Sequence, residues 1–498
     1  MNSIFSPQND DMINVNVIKD KITKTLTTKK KTLLSEVLNE FGIALNMSCG
    51  GKGICKKCTV KIDGKVRLAC QTVLNNDVNV ELFSENVYSN ILNDPESFEK
   101  PISPMYTRWG VSVDIGTTTV CAALSGAGKR ISITARKNPQ VSMGADVISR
   151  IEKSLSEDGL RQLSESIRSA IREMIDELCR EKAISPLEID AAVITGNTTM
   201  LYLLTGRSTK SLAAAPFAAD CFFGETVPAV SLGLNISKKG IAYLPRCVSA
   251  FIGADMITAL LSCDIYDGTK KTALLADIGT NGELAICHEG VLYCAGTSAG
   301  PAFEGYELSH GCYAVKGAID KVWHKNNKIY CSTIEGISAV GVCGSGIVDA
   351  VSVMLELGII DETGYLDKET ELINGIFVTP EDIRKVQLAK GAIRAGIETV
   401  IHGAGVKNSQ IKNFYIAGSF GNYLNINSAV NIGLIPREFL QSAIMIGNSA
   451  HIGATKMLRD KSLIEKSEVL ASRAKIIPLE SSDVFLKNFV KFMMFESV

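Results

Sequence analysis

The hydrophobic pattern of the first 84 residues changes period from that of a strand to that of a helix. "MINVNVIKD" alternates apolar and polar residues, which predicts a half-buried strand, and "KITKTLTT" predicts a second strand beside it. In "TLLSEVLNEF" the apolar residues Leu33, Leu34, Val37, Leu38 and Phe41 fall on one helical face. With "VNVEL" as a closing strand, this order of elements predicts a small α+β domain.

A tight hairpin is predicted inside this domain. "TVKIDGKVRLA" has the pair Asp63-Gly64 at its centre, between two runs of residues that favour strands. Folding about this turn places Thr59 opposite Leu68, and it brings the residues just outside the hairpin to the same end of the ribbon.

The remainder of the chain contains an internal repeat. "GVSVDIGTTTVCAAL" and "ALLADIGTNGELAIC" are each an apolar strand, an Asp-Ile-Gly-Thr turn and a second strand. Such turns expose amides and hydroxyls that can surround phosphate oxygens, and an Asp at a strand end can hold Mg2+ through water. The two aspartates, Asp114 and Asp277, are 163 positions apart. We therefore predict an α/β domain of two duplicated lobes that close on one nucleotide.

Further glycine-rich turns follow predicted strands. "AAVITGNTTMLYLL" passes from strand to turn to helix, "GVCGSGIVDAVSVML" opens a helix at Gly344–Gly346, and "FYIAGSFGNYL" turns at Gly418–Gly421. The N-terminus of a helix attracts anions, and glycine lets a ligand approach the backbone. Each turn taken singly is equally consistent with tight packing of the chain.

Proline-punctuated sequence separates the two parts. The stretch 85–108 contains three prolines and little periodicity, which is typical of a linker. We predict a first domain at 10–84, this linker, and a second domain at 109–498. The lobes of the second domain are predicted at about 109–270 and about 271–498.

Composition and charge narrow the class of protein. Of the 498 residues 46% are hydrophobic and 21% are charged, as in folded soluble proteins. The formal net charge of −1 gives no sign of a nucleic-acid partner. The N-terminal sequence lacks the pattern of a signal peptide, and no uncharged apolar run reaches the roughly 18 residues of a membrane span. We therefore expect a cytoplasmic protein.

Four cysteines of the first domain form a candidate metal site. Cys49, Cys55 and Cys58 have the spacing C-x5-C-x2-C, and Cys70 follows the predicted hairpin. Clustered cytoplasmic thiols are usually metal ligands or redox groups, and four thiolates wrapped by glycines suit a [2Fe–2S] cluster. Structural zinc stays open, although zinc ribbons usually supply two C-x2-C pairs. Two further alternatives are a disulfide and cysteines that are simply buried. Both fit this glycine-rich spacing less well than a metal site does.

Both parts of the chain resemble known families. The element order and cysteine spacing of the first domain resemble β-grasp ferredoxins of the plant type, apart from a shorter gap before Cys70. The turns of the second domain follow the order of phosphate and adenosine loops in actin, sugar kinases and heat-shock ATPases. The combination, with "ADIGTNGE", "SAGPAFEG" and "YIAGSFGNYLNINSAVNIGLIP", resembles the reductive activators of corrinoid proteins.

This resemblance implies a function and a set of roles. Members of that family use ATP to pass an electron from their cluster to the Co(II) corrinoid of a methyltransferase partner, which restores Co(I). The corrinoid itself would be on the partner, because no histidine of this chain lies in a cofactor motif. By this resemblance Asp114 and Asp277 organise Mg2+. The implied ATP-binding residues are Gly116, Thr117, Thr118, Thr119, Gly279, Thr280, Asn281, Gly282, Gly344, Ser345, Gly346, Gly418, Ser419, Phe420 and Gly421.

Two other functions fit the same sequence. One is an ATP-gated electron donor to a different low-potential metalloenzyme, and the other is a small-molecule kinase with a regulatory iron–sulfur domain. Any of the three would take ATP, Mg2+ and a [2Fe–2S] cluster. For the activator we also expect an electron donor such as a ferredoxin or a reductase, and a symmetric homodimer as the oligomeric state.

Overall fold

The chain divides into two compact units that are described separately. The computed structural model describes residues 12–19, 22–41, 43, 58–82, 103–263, 265, 272–305, 307–418 and 424–495. By contact density the first unit is Met1–Asn86 with Val141–Ala145, and the second is Val87–Gln140 with Asp146–Val498. The domain, linker and lobe boundaries proposed from the sequence stay predictions.

The first unit is a five-stranded sheet packed on one helix. The sheet order is β2-β1-β7-β4-β5, and β1 runs parallel to β7 while the other pairs of the sheet are antiparallel. This is the β-grasp arrangement, so the α+β fold predicted for this part is confirmed. Its elements are β1 (Met12–Lys19), β2 (Ile22–Lys29), β3 (Thr32–Leu33), α1 (Leu34–Glu40), β4 (Thr59–Ile62), β5 (Lys65–Leu68), β6 (Val73–Leu74) and β7 (Val78–Glu81).

The amphipathic helix fits its predicted face only in part. Leu34, Val37 and Leu38 are completely buried against the sheet. Phe41 is 38% exposed, because α1 ends at Glu40 and leaves Phe41 beyond the last turn. Leu33 belongs to the short strand β3 and is half-buried. The helical pattern therefore predicted the core positions correctly but extended the helix by one residue at each end, to Leu33 and Phe41.

The hairpin prediction is confirmed. Thr59 pairs with Leu68 across β4 and β5. Asp63 and Gly64 both have positive φ, at 47° and 78°, which is the backbone of the type I′ turn that fits the twist of a hairpin.

The second unit contains the remaining strands and helices. Its strands are β8 (Trp109–Ile115), β9 (Thr119–Gly126), β10 (Lys129–Lys137), β11 (Ile189–Gly196), β12 (Glu225–Pro228), β13 (Ile241–Leu244), β14 (Thr272–Ile278), β15 (Asn281–His288), β16 (Val291–Ser298), β17 (Ala318–Lys325), β18 (Lys328–Thr333), β19 (Gly341–Val342), β20 (Thr370–Ile373), β21 (Ile376–Val378), β22 (Ile411–Ala417), β23 (Ala443–Gly447) and β24 (Lys475–Ile476). Its helices are α2 (Val147–Ser154), α3 (Glu157–Glu181), α4 (Thr198–Thr205), α5 (Lys210–Ala213), α6 (Ala254–Ser262), α7 (Gly344–Glu356), α8 (Pro380–Gly403), α9 (Ile426–Asn431), α10 (Ser449–Arg459), α11 (Ser462–Ser472) and α12 (Asp483–Met493).

Within the described residues, two six-stranded sheets share the same topology over five of their strands. The first has the order β10-β9-β8-β11-β13-β12, and the second has the order β23-β22-β14-β15-β16-β24. In each, three antiparallel strands are followed by two strands parallel to the first of them: β11 and β13 in one sheet, β22 and β23 in the other. The duplicated α/β fold is therefore confirmed.

The helices α6 and α10 cross at close range between the sheets. A side chain at Gly453 would put its Cβ 1.7 Å from the carbonyl oxygen of Thr258, so only glycine permits this approach. His451 lies buried two residues earlier in α10, with Nε2 3.3 Å from Ser112 Oγ, and burial lowers its pKa to about 3. The two helices are also joined by Lys456 of α10, whose Nζ donates to the Ser262 carbonyl of α6 at 2.9 Å.

No helix within the described part of the chain is both long and apolar enough to cross a membrane.

Candidate functional site

The second unit has a cleft where strands of its two sheets end. Both Asp-Ile-Gly-Thr turns open onto it, together with the first turn of α7 and the loops after β11, β22 and β23. The described residues that line it are Asp114, Gly116, Thr117, Thr118, Thr119, Asn197, Asp255, Asp277, Ile278, Gly279, Thr280, Asn281, Glu283, Phe303, Glu304, Tyr313, Ala314, Cys343, Gly344, Ser345, Gly418, Asn448 and Ala450.

The first Asp-Ile-Gly-Thr turn is held from behind by two buried side chains. Asn138 donates its Nδ2 to the Gly116 carbonyl at 2.8 Å, and its backbone amide donates to the Thr118 carbonyl at 2.8 Å. The guanidinium of Arg150, completely buried, donates to the Thr117 carbonyl at 2.5 Å. These donors fix the carbonyls of the turn, whose residues Gly116–Thr119 line the cleft and suit a phosphate there.

The second turn is held by a carboxylate. Thr280 donates its amide and its hydroxyl to Glu304 Oε1, at 2.9 Å and 2.7 Å. The other oxygen of Glu304, Oε2, accepts from the hydroxyl of Thr118 in the first turn, at 2.9 Å. The Thr280 carbonyl accepts from the Gly300 amide at 3.0 Å. Glu304 therefore joins the two turns directly.

Four carboxyl groups surround the cleft floor, of which Asp114 and Glu283 are buried and Asp255 and Asp277 are half-buried. Burial, reinforced by neighbouring negative charge, raises the pKa of Asp114 to about 8 and that of Asp277 to about 7. Burial also raises the pKa of Asp255 to about 6, and it raises the pKa of Glu283 well above its usual value. No lysine or arginine is among the described lining residues, so no side-chain cation compensates these groups there.

Such a set of carboxyl groups fits a divalent cation. Mg2+ binds carboxylate oxygens and keeps several waters, which suits a site that also receives phosphates. Asp114 and Asp277 lie near the ends of the equivalent strands β8 and β14, and Asp255 lies in the first turn of α6. Among the described residues no three His, Cys, Asp or Glu side chains are grouped closely enough to form a complete metal site, so Mg2+ would be held here by one or two of these carboxylates together with water and phosphate oxygens.

The raised pKa values predict a pH-dependent response to Mg2+. Between about pH 4 and pH 8 the folded protein keeps protons on Asp114 and Asp277 that the unfolded chain has lost, so its stability falls as pH rises through this window. Mg2+ replaces those protons and offsets the loss. We expect Mg2+ to raise the melting temperature more at pH 8 than at pH 6, measured by calorimetry.

The matched control is Asp277→Asn, which removes one of these acids. Its Mg2+-dependent rise in melting temperature should be smaller at pH 8 than that of the wild type. An equal response of wild type and variant at both pH values would place the cation elsewhere.

Only some of the residues predicted to border the nucleoside line the cleft. Gly344 and Ser345 line it at the start of α7, and Gly418 lines it after β22. Gly418 has φ +94°, and a Cβ there would lie 2.8 Å from Asp277 Oδ1, so the position requires glycine. Ser419, Phe420 and Gly421 lie outside the described residues.

Two predicted ATP-binding glycines are placed in packing contacts instead of the cleft. A Cβ at Gly346 would meet the Ile319 carbonyl oxygen at 2.1 Å, and one at Gly282 would meet the side chain of Ile393 at 2.4 Å. Neither residue lines the cleft. Gly282 lies in β15 and Gly346 lies in the first turn of α7, and both serve close packing.

Sequence reasoning missed three lining residues that converge from separate helices. Asn197 caps α4 by accepting from the Met200 amide at 3.0 Å, and Asn448 caps α10 by accepting from the His451 amide at 3.1 Å. Each follows a strand in a Gly-Asn pair before Thr or Ser, a repeat that was available as a signal. Asp255 is an acid in the first turn of the otherwise apolar helix α6.

The described half of the predicted cluster site has the features of a thiolate environment. Cys58 and Cys70 are 1% and 4% exposed, and the Cys70 amide donates to Cys58 Sγ at 3.5 Å. The Nε2 of Gln71 donates to Cys70 Sγ at 3.8 Å. Amide donors to sulfur are what a buried cluster ligand needs, so these two residues fit an iron–sulfur cluster. Cys49 and Cys55 lie outside the described residues.

Comparison with known proteins matches both units. The model for a 2Fe-2S iron-sulfur cluster binding domain matches residues 17–81. The model for the RACo middle region matches 109–268, and that for the C-terminal domain of RACo, the ASKHA domain, matches 271–498. The fold and the site thus define an iron–sulfur protein with an ASKHA-type ATPase domain.

Individual relatives give a narrower class. The corrinoid activation enzyme RamQ of Eubacterium limosum is 28% identical, over 95% of this chain and 98% of that protein. The Co(II) methylated amine-specific corrinoid protein reductase of Methanosarcina barkeri is 27% identical, over 49% of this chain and 50% of that protein. A solved reductive activator for corrinoid, iron-sulfur protein superimposes with a TM-score of 0.72 and 26% identity, over 97% of this chain and 98% of that one. Over nearly its whole length the chain is therefore similar to reductive activators of corrinoid proteins.

Proposed function

We propose that this protein uses ATP to deliver one electron from a [2Fe–2S] cluster to the Co(II) of a corrinoid protein, restoring Co(I) for methyl transfer. The observation that carries this proposal is the cleft between two Asp-Ile-Gly-Thr turns, with carboxyl groups on its floor. The same chain also has a ferredoxin fold with two buried cysteines whose sulfur atoms accept hydrogen bonds from amide groups. The related activators and reductases support the choice of a corrinoid as electron acceptor.

The residues take the following roles in this proposal. Cys49, Cys55, Cys58 and Cys70 hold the cluster, which supplies a one-electron donor. Asp114 and Asp277 hold Mg2+ against the phosphates. In phosphoryl transfer of this kind the protein contributes positioning and electrostatics, and it needs no covalent intermediate. The turns 116–119 and 279–281 bind phosphates, and Gly344, Ser345 and Gly418–Gly421 border the nucleoside.

An energetic argument explains why an ATPase accompanies the cluster domain. Plant-type [2Fe–2S] centres have reduction potentials of about −400 mV. If the cobalt couple lies about 100 mV lower, the electron must climb roughly 2.3 kcal/mol. A ligand shifts an equilibrium only by its different affinities for two states. ATP-driven closure of the cleft would therefore act by favouring a complex in which cobalt is easier to reduce.

We also propose the setting in which the protein works. Its electrons would come from a ferredoxin or a reductase, and the acting form would be a homodimer. The location would be the cytoplasm, with neither nucleic acid nor a membrane as partner, in keeping with the net charge of −1.

An anaerobic optical titration tests the proposal. The protein is reconstituted with iron and sulfide, reduced, and mixed with the corrinoid protein of a methyltransferase system. We expect the Co(I) absorbance band to develop with Mg-ATP and to stay small with Mg-ADP, because the uphill step needs the nucleotide-driven change.

Each rival function predicts a different outcome. Phosphorylation of an added sugar or acid, with no response to any corrinoid protein, would establish a kinase. Reduction of another low-potential metalloenzyme, again without a corrinoid response, would establish a different electron acceptor. Either result contradicts the proposal.

A further inference from the structure

Glu304 occupies a position that conflicts with phosphate binding. It ends a short 3₁₀ helix, Pro301–Glu304, that follows β16. Its carboxylate accepts three hydrogen bonds, two from Thr280 and one from Thr118, with lengths of 2.7–2.9 Å. The donors are one backbone amide and two hydroxyls of the two Asp-Ile-Gly-Thr turns. These groups are the ones that both turns would offer to phosphate oxygens.

A carboxylate here is an internal substitute for a phosphate group. It carries the same sign of charge and, like a phosphate oxygen, it accepts from a backbone amide and hydroxyls. It also lies beside another acid, since Glu304 is one of the charges that raise the pKa of Asp277. A triphosphate adds negative charge at this place and needs the same donors. One donor hydrogen cannot serve both anions at full strength, so the nucleotide and Glu304 compete.

We propose that Glu304 sets the nucleotide affinity of the cleft by occupying the phosphate donors of both turns, so that the nucleotide must displace it. This inference rests on the proposed ATP site and adds a residue that controls it. The donors held by Glu304 belong to the hairpin of β8 and β9 and to the hairpin of β14 and β15, that is, to both sheets. Its release therefore removes a direct link between the two halves of the cleft.

The displacement reaches the far wall of the cleft through the chain. The residues Tyr313 and Ala314 line the cleft and follow Glu304 by about one short loop. At the other end of the 3₁₀ helix, the Gly300 amide remains bonded to the Thr280 carbonyl at 3.0 Å. Because the Gly300 amide holds the start of this helix at Thr280, we expect movement of Glu304 to be taken up on its C-terminal side, toward Tyr313 and Ala314.

A static role for Glu304 makes the opposite prediction. If the carboxylate only holds the turns in the shape that phosphates need, its loss should weaken nucleotide binding. If it acts only through its charge, any residue that keeps the charge should bind nucleotide like the wild type. The sign and the pattern of the affinity change therefore separate displacement from these two roles.

Two substitutions at this position provide the test. Glu304→Gln removes the charge, and Glu304→Asp keeps it but shortens the side chain by one methylene, so that it cannot bridge both turns. Titration calorimetry with Mg-AMPPNP should show both variants binding about tenfold more tightly than the wild type. Tighter binding by the Gln variant alone, or weaker binding by both, would overturn the inference.

A measurement on the wild type protects the test against variants that fold poorly. Hydrogen exchange of the segment 297–316 should become faster when Mg-AMPPNP binds, because Glu304 leaves its partners. Unchanged or slower exchange would overturn the inference. A wild type that binds no nucleotide would instead overturn the proposed ATP site, so the two failures are distinguishable.

Discussion

Asp277→Asn should abolish the ATP-driven formation of Co(I) while leaving the iron–sulfur cluster reducible. The substitution keeps the size of the side chain and removes the carboxylate near the end of β14, in the floor of the cleft. Asn offers Mg2+ one neutral oxygen in place of an anion, so the metal and the phosphates lose their alignment. We expect ATP hydrolysis to fall by about a hundredfold or more, the range found when one aligned electrostatic group is removed from an active site.

The experiment uses three proteins under identical anaerobic conditions. Wild type, Asp277→Asn and the surface control Asp158→Asn are reduced with the same artificial donor and mixed with the corrinoid protein and Mg-ATP. Asp158 lies in the first turn of α3 and has a largely exposed side chain. All three should show the same reduced-cluster signal, and only Asp277→Asn should leave Co(II) unreduced. Equal Co(I) yields, once the loss of hydrolysis is established, would separate ATP from electron transfer.

Local chemistry explains which features were readable from the sequence. The Asp63-Gly64 turn specifies its own backbone, so both the turn and the register of Thr59 with Leu68 followed from a short stretch of sequence. Each Asp-Ile-Gly-Thr turn likewise joins two apolar strands, so the two turns could be recognised singly and then as a repeat. Such features depend on neighbours in the chain, and sequence patterns report neighbours well.

Features that depend on contacts between distant parts of the chain could not be predicted from the sequence. Asp255 and Asn448 meet Asp114 only because α6 and α10 cross between the sheets, at a glycine contact that no local pattern indicates. Gly282 and Gly346 have the same local sequence character as cleft glycines, yet their missing side chains make room for Ile393 and a backbone carbonyl. Such a glycine thus indicates a close approach without identifying what approaches it.

The role of Glu304 illustrates the same limit. Its sequence, an acid in "SAGPAFEG", is compatible with ordinary structural hydrogen bonds. The three donors come from Thr118 and Thr280, which are 162 positions apart, and they become visible only when the two turns are placed side by side. Charge in this cleft is therefore a property of the assembled sheets, whereas the capacity to bind phosphate is already encoded in each turn.

Cys58→Ser should remove or strongly destabilise the [2Fe–2S] cluster and leave nucleotide binding unchanged. Serine keeps the shape of the side chain, but its oxygen is a poor substitute for a thiolate bound to iron. Cys58 Sγ also accepts the Cys70 amide at 3.5 Å, so the change alters the contact between both described ligands. The nucleotide cleft belongs to the second unit, which contains no residue of this site.

The measurement is iron and sulfide content after anaerobic reconstitution, followed by EPR of the reduced protein and calorimetry with Mg-AMPPNP. Cys179→Ser is the matched control, because Cys179 is also 1% exposed but lies on α3 in the second unit. The control should retain a full cluster signal. A normal EPR spectrum of Cys58→Ser would show that the ligand assignment is wrong. If the wild type contained zinc and no iron, the site would be a structural metal site and not an iron–sulfur cluster. The zinc result would leave the cleft intact as a nucleotide site but without an electron to deliver, because the reducing power of the proposed reaction resides entirely in the first unit, whereas a normal EPR spectrum would leave the electron donor in place with other ligands.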